Sequence, residues 1–262
     1  MLMPENDWNG RDRDTKNMAL LIDGDNAQPA LLEAMLNEAA KYGQMTFRRI
    51  YGDWTSPNMS GWKQLLQIHA LQPIQQFRNT IGKNATDSAL IIDAMDILHK
   101  EDVHIFVLVS SDSDFARLST RLREGGKTVI GIGRRITPEV FVRACNIFVY
   151  TENLVPFGTE VQPLSSPESP GEIRTYIHDV EELKRLLKQA VELTQCEDGT
   201  CLLSQIGISL HKIDPGFDPR TYGKKKLLDL IEEFPDIFDV SKNPMGGPMS
   251  VSLKDVDACA DH

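Results

Sequence analysis

Cysteine is too sparse to hold this chain together. Its four residues, Cys145, Cys196, Cys201 and Cys259, give no disulfide framework. Cys196 and Cys201 are close in sequence, but no second pair and no histidine couple completes a zinc pattern. No apolar run approaches membrane-spanning length, so no membrane association is expected. The stretch from Met1 to Asn17 is polar and charged and lacks the apolar segment of a secretory signal. A reducing cytoplasm is therefore the expected compartment. Positive charge is also short. The 28 Lys and Arg against 38 Asp and Glu leave a net charge of −10 over 262 residues. A wholesale basic surface for nucleic acid is absent, and any such contact must be local. The imbalance is uneven, −3 over residues 1–160 and −7 over the remainder. Neither G-x-x-x-x-G-K-[ST] nor G-x-G-x-x-G occurs, which weakens a nucleotide-cofactor reading. There is no internal repeat at 20–50 residues.

What is present is a regular alternation of strand and helix patterns. The apolar run Met18–Ile22 stops abruptly in Asp23-Gly24-Asp25-Asn26, as a parallel strand does where it leaves a sheet. A helix follows Pro29 and ends near Gly43, and further strands are predicted at 44–51 and 72–77. The second of these carries Pro73 and is assigned to an edge. A helix over 58–71 is predicted between them. Residues 85–100 read as a helix with Ala89, Ile92, Met95 and Leu98 inward. The most apolar strand, 103–110, runs into Ser111-Asp112-Ser113-Asp114. A helix at 115–124, a strand at 127–132, a short helix at 138–144 and a strand at 147–150 complete the pattern. This order predicts an α/β fold with a doubly wound, mainly parallel sheet.

The first 17 residues read as a disordered lead-in. Four prolines between 155 and 171 mark a linker, placed at 154–172. The grammar then changes. A helix at 176–193 carries Val180, Leu183, Leu187 and Val191 as its stripe, helices follow at 202–213 and 222–233, and a hairpin is predicted at 237–240 and 249–253. That is a winged helix-turn-helix plan, placed at 173–253 with a short tail at 254–262.

Two strands that each end in Asp-x-Asp can bring carboxylates to one point, because sites in open α/β sheets form at the carboxyl ends of strands. The candidates are Asp23, Asp25, Asp87, Asp112 and Asp114. Each alone can equally cap a helix or bind loop amides. Together they are costly, since unit charges about 4 Å apart repel by about 4 kcal/mol at an effective dielectric of about 20. A converging set needs a cation, or some members must hold a proton. Hard oxygen ligands without His or Cys favour Mg²⁺ or Mn²⁺, which suits hydrolysis of a phosphodiester. Arg78, Lys83, Arg134 and Arg135 can grip a nucleic-acid backbone, although each also fits a solvated loop charge. Trp54 and Trp62 suit core packing better than base stacking.

Three segments together resemble the NYN domain, a branch of the PIN-like nucleases. They are Leu21-Ile22-Asp23-Gly24-Asp25-Asn26, Lys83-Asn84-Ala85-Thr86-Asp87 and Val109-Ser110-Ser111-Asp112-Ser113-Asp114-Phe115. The resemblance covers about 18–153. It implies a Rossmann-like sheet and metal-dependent RNA cleavage, with Asp23, Asp87, Asp112 and Asp114 as catalytic metal ligands. Asp25, Asn26 and Asp93 stand second. Asp93 lies six residues beyond Asp87, so the two point to different faces of a helix.

The C-terminal part resembles the OST-HTH or LOTUS domain, through Glu197–Ser204, Phe217–Leu230 and Phe234–Phe238. That resemblance implies RNA binding, or in some members a protein partner. Lys224, Lys225 and Lys226 form a basic cluster at a helix start, where cations oppose the helix dipole and an external anion would relieve them. The combined expectation is a Mg²⁺- or Mn²⁺-dependent endoribonuclease with a second domain that recruits RNA. A non-catalytic RNA-binding adaptor built on the same fold is the alternative. A haloacid-dehalogenase-type phosphatase is a third reading, since Asp23-x-Asp25 begins one, but Ala27 stands where that family needs Thr or Val.

Overall fold

The computed structural model describes residues 16–77, 85–154, 180–196, 199–241 and 248–254. The chain divides after Val155 into two units. Residues 1–15 of the expected N-terminal lead-in, almost all of the linker and most of the tail lie outside the described residues, whereas Asn17, expected in the lead-in, opens the first strand.

The first unit is built on six parallel strands: β1 (Asn17–Asp23), β2 (Gln44–Gly52), β3 (Gln72–Gln75), β4 (Ile105–Val109), β5 (Thr128–Gly133) and β6 (Ile147–Tyr150). Their order across the sheet is β3-β2-β1-β4-β5-β6. Strand order therefore reverses between β1 and β4, which are the strands that carry the acidic ends. Pro73 does sit in an edge strand, where its missing N–H breaks no central ladder. The helices α1 (Leu32–Ala39), α2 (Lys63–Ile68), α3 (Ala85–Lys100), α4 (Phe115–Glu124) and α5 (Glu139–Ala144) supply the crossovers.

Side chains alternate along each strand, so the sheet has two apolar faces. Met18, Leu20 and Ile22 of β1 join Leu32, Met35 and Trp62 on one face. Ala19 and Leu21 join Leu90, Phe106, Phe115 and Phe141 on the other. Trp62 is fully buried, and Trp54 packs against the first face while its indole Nε1 donates to the Ile74 carbonyl at 3.0 Å. Trp62 is thus a core residue, and Trp54 packs at the core's edge.

Two local expectations in this unit need correction. The helix predicted over 58–71 is a 3₁₀ turn, Pro57–Trp62, followed by the short α2. The inward face of α3 is centred on Leu90, Ala94 and Ile97, with Ala89, Met95 and Leu98 packed beside them as expected, whereas Ile92 is 65% exposed. The spacing of Asp87, Leu90, Ala94 and Ile97 is itself a helical stripe, so the face that anchors α3 also turns Asp87 toward the sheet.

Gly133 has to be glycine for packing reasons. An added Cβ there would lie 2.4 Å from the Ser110 carbonyl oxygen, so the end of β5 could not pass this close to the end of β4.

The second unit holds α6 (Val180–Glu192), α7 (Leu203–Ile213) and α8 (Leu227–Ile231), with strands β7 (Thr200–Leu202), β8 (Phe238–Ser241) and β9 (Ser250–Leu253) in the order β7-β9-β8. The hairpin of β8 and β9 matches the expected wing. Its core is Leu183, Leu187, Val191, Ile206, Leu210, Phe217, Leu230 and Phe238, whereas Val180 is exposed. The helix predicted over 222–233 is broken up. A 3₁₀ turn, Pro219–Tyr222, ends at Gly223, whose φ of 77° is left-handed, and α8 starts only at Leu227. Asp218 caps that turn, accepting from the Arg220 backbone N–H at 2.8 Å and from its guanidinium Nη2 at 2.6 Å.

Candidate metal centre

At the end of β1 the chain turns on Asp23, whose backbone carbonyl accepts from the Ala27 N–H at 2.9 Å. The carboxylate is fully buried. Its Oδ2 accepts from the Asn26 amide at 2.7 Å and from the Ser110 hydroxyl at 2.8 Å, and its Oδ1 accepts from the Asp25 N–H at 3.2 Å. Burial pushes the Asp23 carboxyl up from its ordinary value, and the three donors partly offset that.

Ser110 stands at the end of β4, with its N–H on the Ile132 carbonyl at 3.0 Å. Its hydroxyl donates to Asp23 and accepts from the Asp112 N–H at 3.1 Å. One side chain thus ties the acidic ends of β1 and β4 together. Asp112 in turn accepts the Asp114 N–H on Oδ1 at 2.9 Å. Asp114 occupies the N-cap of α4, yet its side chain makes no capping hydrogen bond. The capping role that competes with metal ligation is therefore not the one Asp114 plays.

Asp87 enters from the first turn of α3 and is 9% exposed. Asp87, Asp112 and Asp114 each place a carboxylate oxygen within 4.8 Å of the other two. Burial is the largest cause that pushes the Asp87 carboxyl up to about 7, followed by the charges of Asp23, Asp112, Asp114 and Asp25. Four carboxylates thus bear on a fifth, and a hard divalent cation is the group that such an oxygen set accommodates.

The remaining candidates take different places. Asp25 accepts from the Thr86 hydroxyl at 3.1 Å, which links the β1 turn to the start of α3. Asn26 orients Asp23. Asp93 lies outside the group of three: its carboxylate pairs with the Arg49 guanidinium and accepts from the Tyr51 hydroxyl, fastening α3 to β2. Burial, then the Asp93 carboxylate, push the Tyr51 phenol well up, so Tyr51 stays a neutral donor. Replacing Asp93 by Ala would leave a mostly buried cation unpaired and a buried hydroxyl without its acceptor. We expect a loss of about 2–4 kcal/mol in urea unfolding. A shift in melting temperature caused by a divalent cation, expected for the wild type, should persist in Asp93→Asn. Loss of that shift with stability intact would instead make Asp93 a ligand.

Arg134 and Arg135 follow β5 on the same edge of the sheet. The Arg135 guanidinium donates to the Asn153 side chain at 3.2 Å, and its backbone N–H donates to the Glu152 carboxylate at 3.0 Å. The Arg134 backbone N–H donates to the Ser111 hydroxyl at 2.9 Å. Arg78 and Lys83 lie outside the described residues. In the second unit Lys224 pairs with Glu233, while Lys225 and Lys226 are exposed. Ser110 and Thr86 were not singled out in the sequence. Ser110 sits in the Ser-Ser-Asp-Ser-Asp run, but its partner Asp23 is 87 residues away and only the β1–β4 pairing brings them together.

A parallel sheet with reversed strand order and a carboxylate cluster at its switch point defines a PIN-like α/β domain. A model of the NYN domain matches residues 17–153, and a model of the OST-HTH/LOTUS domain matches residues 180–250. The chain belongs to the NYN family, a PIN-like nuclease type, and carries an OST-HTH/LOTUS domain after it. Among solved structures it is similar to a protein of unknown function from Vibrio parahaemolyticus, at 20% identity and a TM-score of 0.45, covering 54% of this chain and 96% of that one. It is also similar to an uncharacterized protein from Nitrosomonas europaea, at 23% identity and a TM-score of 0.27, covering 41% of this chain and 99% of that one. Comparison with curated proteins finds no match. Among the described residues, no helix is long and apolar enough to cross a membrane.

Proposed function

We propose that this protein is a metal-dependent endoribonuclease, with the residue 17–153 domain cutting and the residue 180–250 domain recruiting RNA. The observation that carries this reading is the meeting of Asp87, Asp112 and Asp114 within 4.8 Å, at the switch point of an NYN-type sheet. These three would hold Mg²⁺ or Mn²⁺. Asp23, held by Asn26 and Ser110, backs them with its charge. When bound, the ion would lower the pKa of an attacking water and neutralise charge on the phosphate oxygens. Asp87 holds or yields a proton near neutral pH, so it can release that proton as a cation arrives. Ser110 fixes the loops that carry Asp23 and Asp112. No protein nucleophile is required.

The two-domain order supports RNA as the substrate. A tether raises the effective concentration of one module at the other, often to the mM range for a short flexible linker. Lys225 and Lys226, exposed just before α8, are the proposed contacts in the second domain, while Lys224 is already paired with Glu233. A protein partner through the same surface remains compatible with this domain.

Labelled single-stranded RNA and DNA, incubated with the protein in Mg²⁺, Mn²⁺ or EDTA, test the reading. Internal cuts in RNA that need the metal are expected. Binding that survives EDTA, with no cutting under either metal, would make the protein an adaptor.

A further inference from the structure

A cleft opens at the carboxyl ends of β1, β4 and β5, lined by Asn26, Gln28, Ser111, Arg134 and Thr151 over a floor that includes Met35. Its enclosed volume is about 10 Å³, room for roughly one water, so it is a shallow cleft rather than a ligand cavity. That is far below the range of about 300–1,000 Å³ usual for small-molecule and cofactor sites, so a ligand here would lie across the cleft against its rim rather than inside it. The cleft shares a wall with the carboxylate centre, because Ser110 lines it and also donates to Asp23.

The two arginines at this edge differ in a way their sequence adjacency hides. The Arg135 guanidinium is already held by Asn153, and its backbone N–H by Glu152. Both arginines are half-buried and the Nε of each is sealed from water without a hydrogen-bond partner, but among the described residues only the Arg135 guanidinium has an acceptor and no carboxylate pairs with that of Arg134. A cation taken partly out of water without a partner is unfavourable unless an anion reaches it. The Arg134 N–H on Ser111, together with the bare Gly133 against the Ser110 carbonyl, fixes this backbone beside the cleft.

A small free anion would be repelled by the neighbouring carboxylates. A polymer that carries a phosphate at every residue, and is gripped elsewhere, would not need to overcome that repulsion alone. We propose that the Arg134 guanidinium, at the rim of this cleft, binds a phosphate of the nucleic-acid backbone next to the one destined for cleavage. This rests on the nuclease reading for the word cleavage, but not for binding.

The test uses the full chain with a fluorescein-labelled single-stranded RNA of about twelve nucleotides in EDTA, where no cutting occurs, titrated at several salt concentrations. Arg134→Gln should weaken binding several-fold and reduce the slope of log K against log salt by about 0.7, as one lost contact to a single strand predicts. Arg135→Gln should leave that slope unchanged. Arg134→Lys, which keeps the charge, should retain most of the slope and shows that position 134 tolerates change without unfolding. The proposal is overturned if Arg134→Gln matches wild type, if Arg135→Gln causes the same loss, or if wild type does not bind. Intact binding behaviour of this kind in a protein that never cuts would uphold the phosphate site and reject the nuclease assignment.

Discussion

Asp112→Asn should abolish RNA cutting while leaving the protein folded. The expected fall is on the order of 10³-fold, which corresponds to losing about 4 kcal/mol of transition-state stabilisation from a displaced or absent cation. Folding should survive because the local role of Asp112 is to accept the Asp114 N–H on Oδ1, and an asparagine carbonyl accepts equally well. The change also removes one of the charges that crowd Asp87. Gel analysis of labelled RNA with Mn²⁺ and circular dichroism on the same preparation would check both halves. Cutting that persists in Mn²⁺, in a folded variant, would remove the carboxylate centre from the mechanism.

Mg²⁺ or Mn²⁺ should raise the melting temperature of the wild-type protein, and more strongly at pH 8 than at pH 6. At about 100 times its dissociation constant a ligand stabilises by about 2.7 kcal/mol, which for a domain of this size is a shift on the order of 5–10 °C. The pH dependence follows from Asp87. Its carboxyl is raised from 3.8 to about 7 in the folded protein, so between those values the folded state holds the proton that the unfolded chain has released. Without metal, its contribution favours folding at low pH and is lost as pH rises through about 7. A cation must displace that proton below pH 7 and gains the full carboxylate above it. Asp87→Asn should accordingly stabilise the metal-free protein most at pH 8, less at pH 5 and hardly at all below about pH 4, and weaken the metal-induced shift. A variant less stable than wild type at pH 8 in EDTA, or an equal metal shift at both pH values, would show that the carboxylates do not crowd one another.

Stability and function pull in opposite directions at this site. Asp23, Asp87, Asp112 and Asp114 sit together at a cost to the metal-free fold. The order that holds them there is carried by uncharged neighbours: Asn26 and Ser110 on Asp23, and Thr86 on Asp25. The apolar stripe of α3 then fixes how deep Asp87 reaches.

Strand runs such as Met18–Ile22 and Ile105–Val109 were legible because a strand buried on both faces must be apolar along its whole length. Their acidic ends were legible for the same reason, since the pattern breaks where burial ends. The centre of the α3 face was legible only in part, because Ile92 and Leu90 are equally apolar, and only the position of the sheet decides which is covered. The extent of α8 was misjudged because the left-handed φ at Gly223 depends on the capped turn of Asp218 and Arg220 before it. The three-residue β7 escaped notice because its partner β9 lies some fifty residues away.

Chain order, helix and strand periods, and the supply of oxygen ligands are local properties, and the amino-acid sequence determined them alone. Which acids meet was decided by the crossover that sets β1 beside β4 and lays α3 over them. Asp87, Asp112 and Asp114 converge, whereas Asp93 turns away to Arg49 and Tyr51. The same packing separated the two adjacent arginines, giving Arg135 internal partners and leaving Arg134 at a cleft. The physical reason is that charge and hydrogen-bond partners act over a few ångströms in space, and only the folded chain sets those distances.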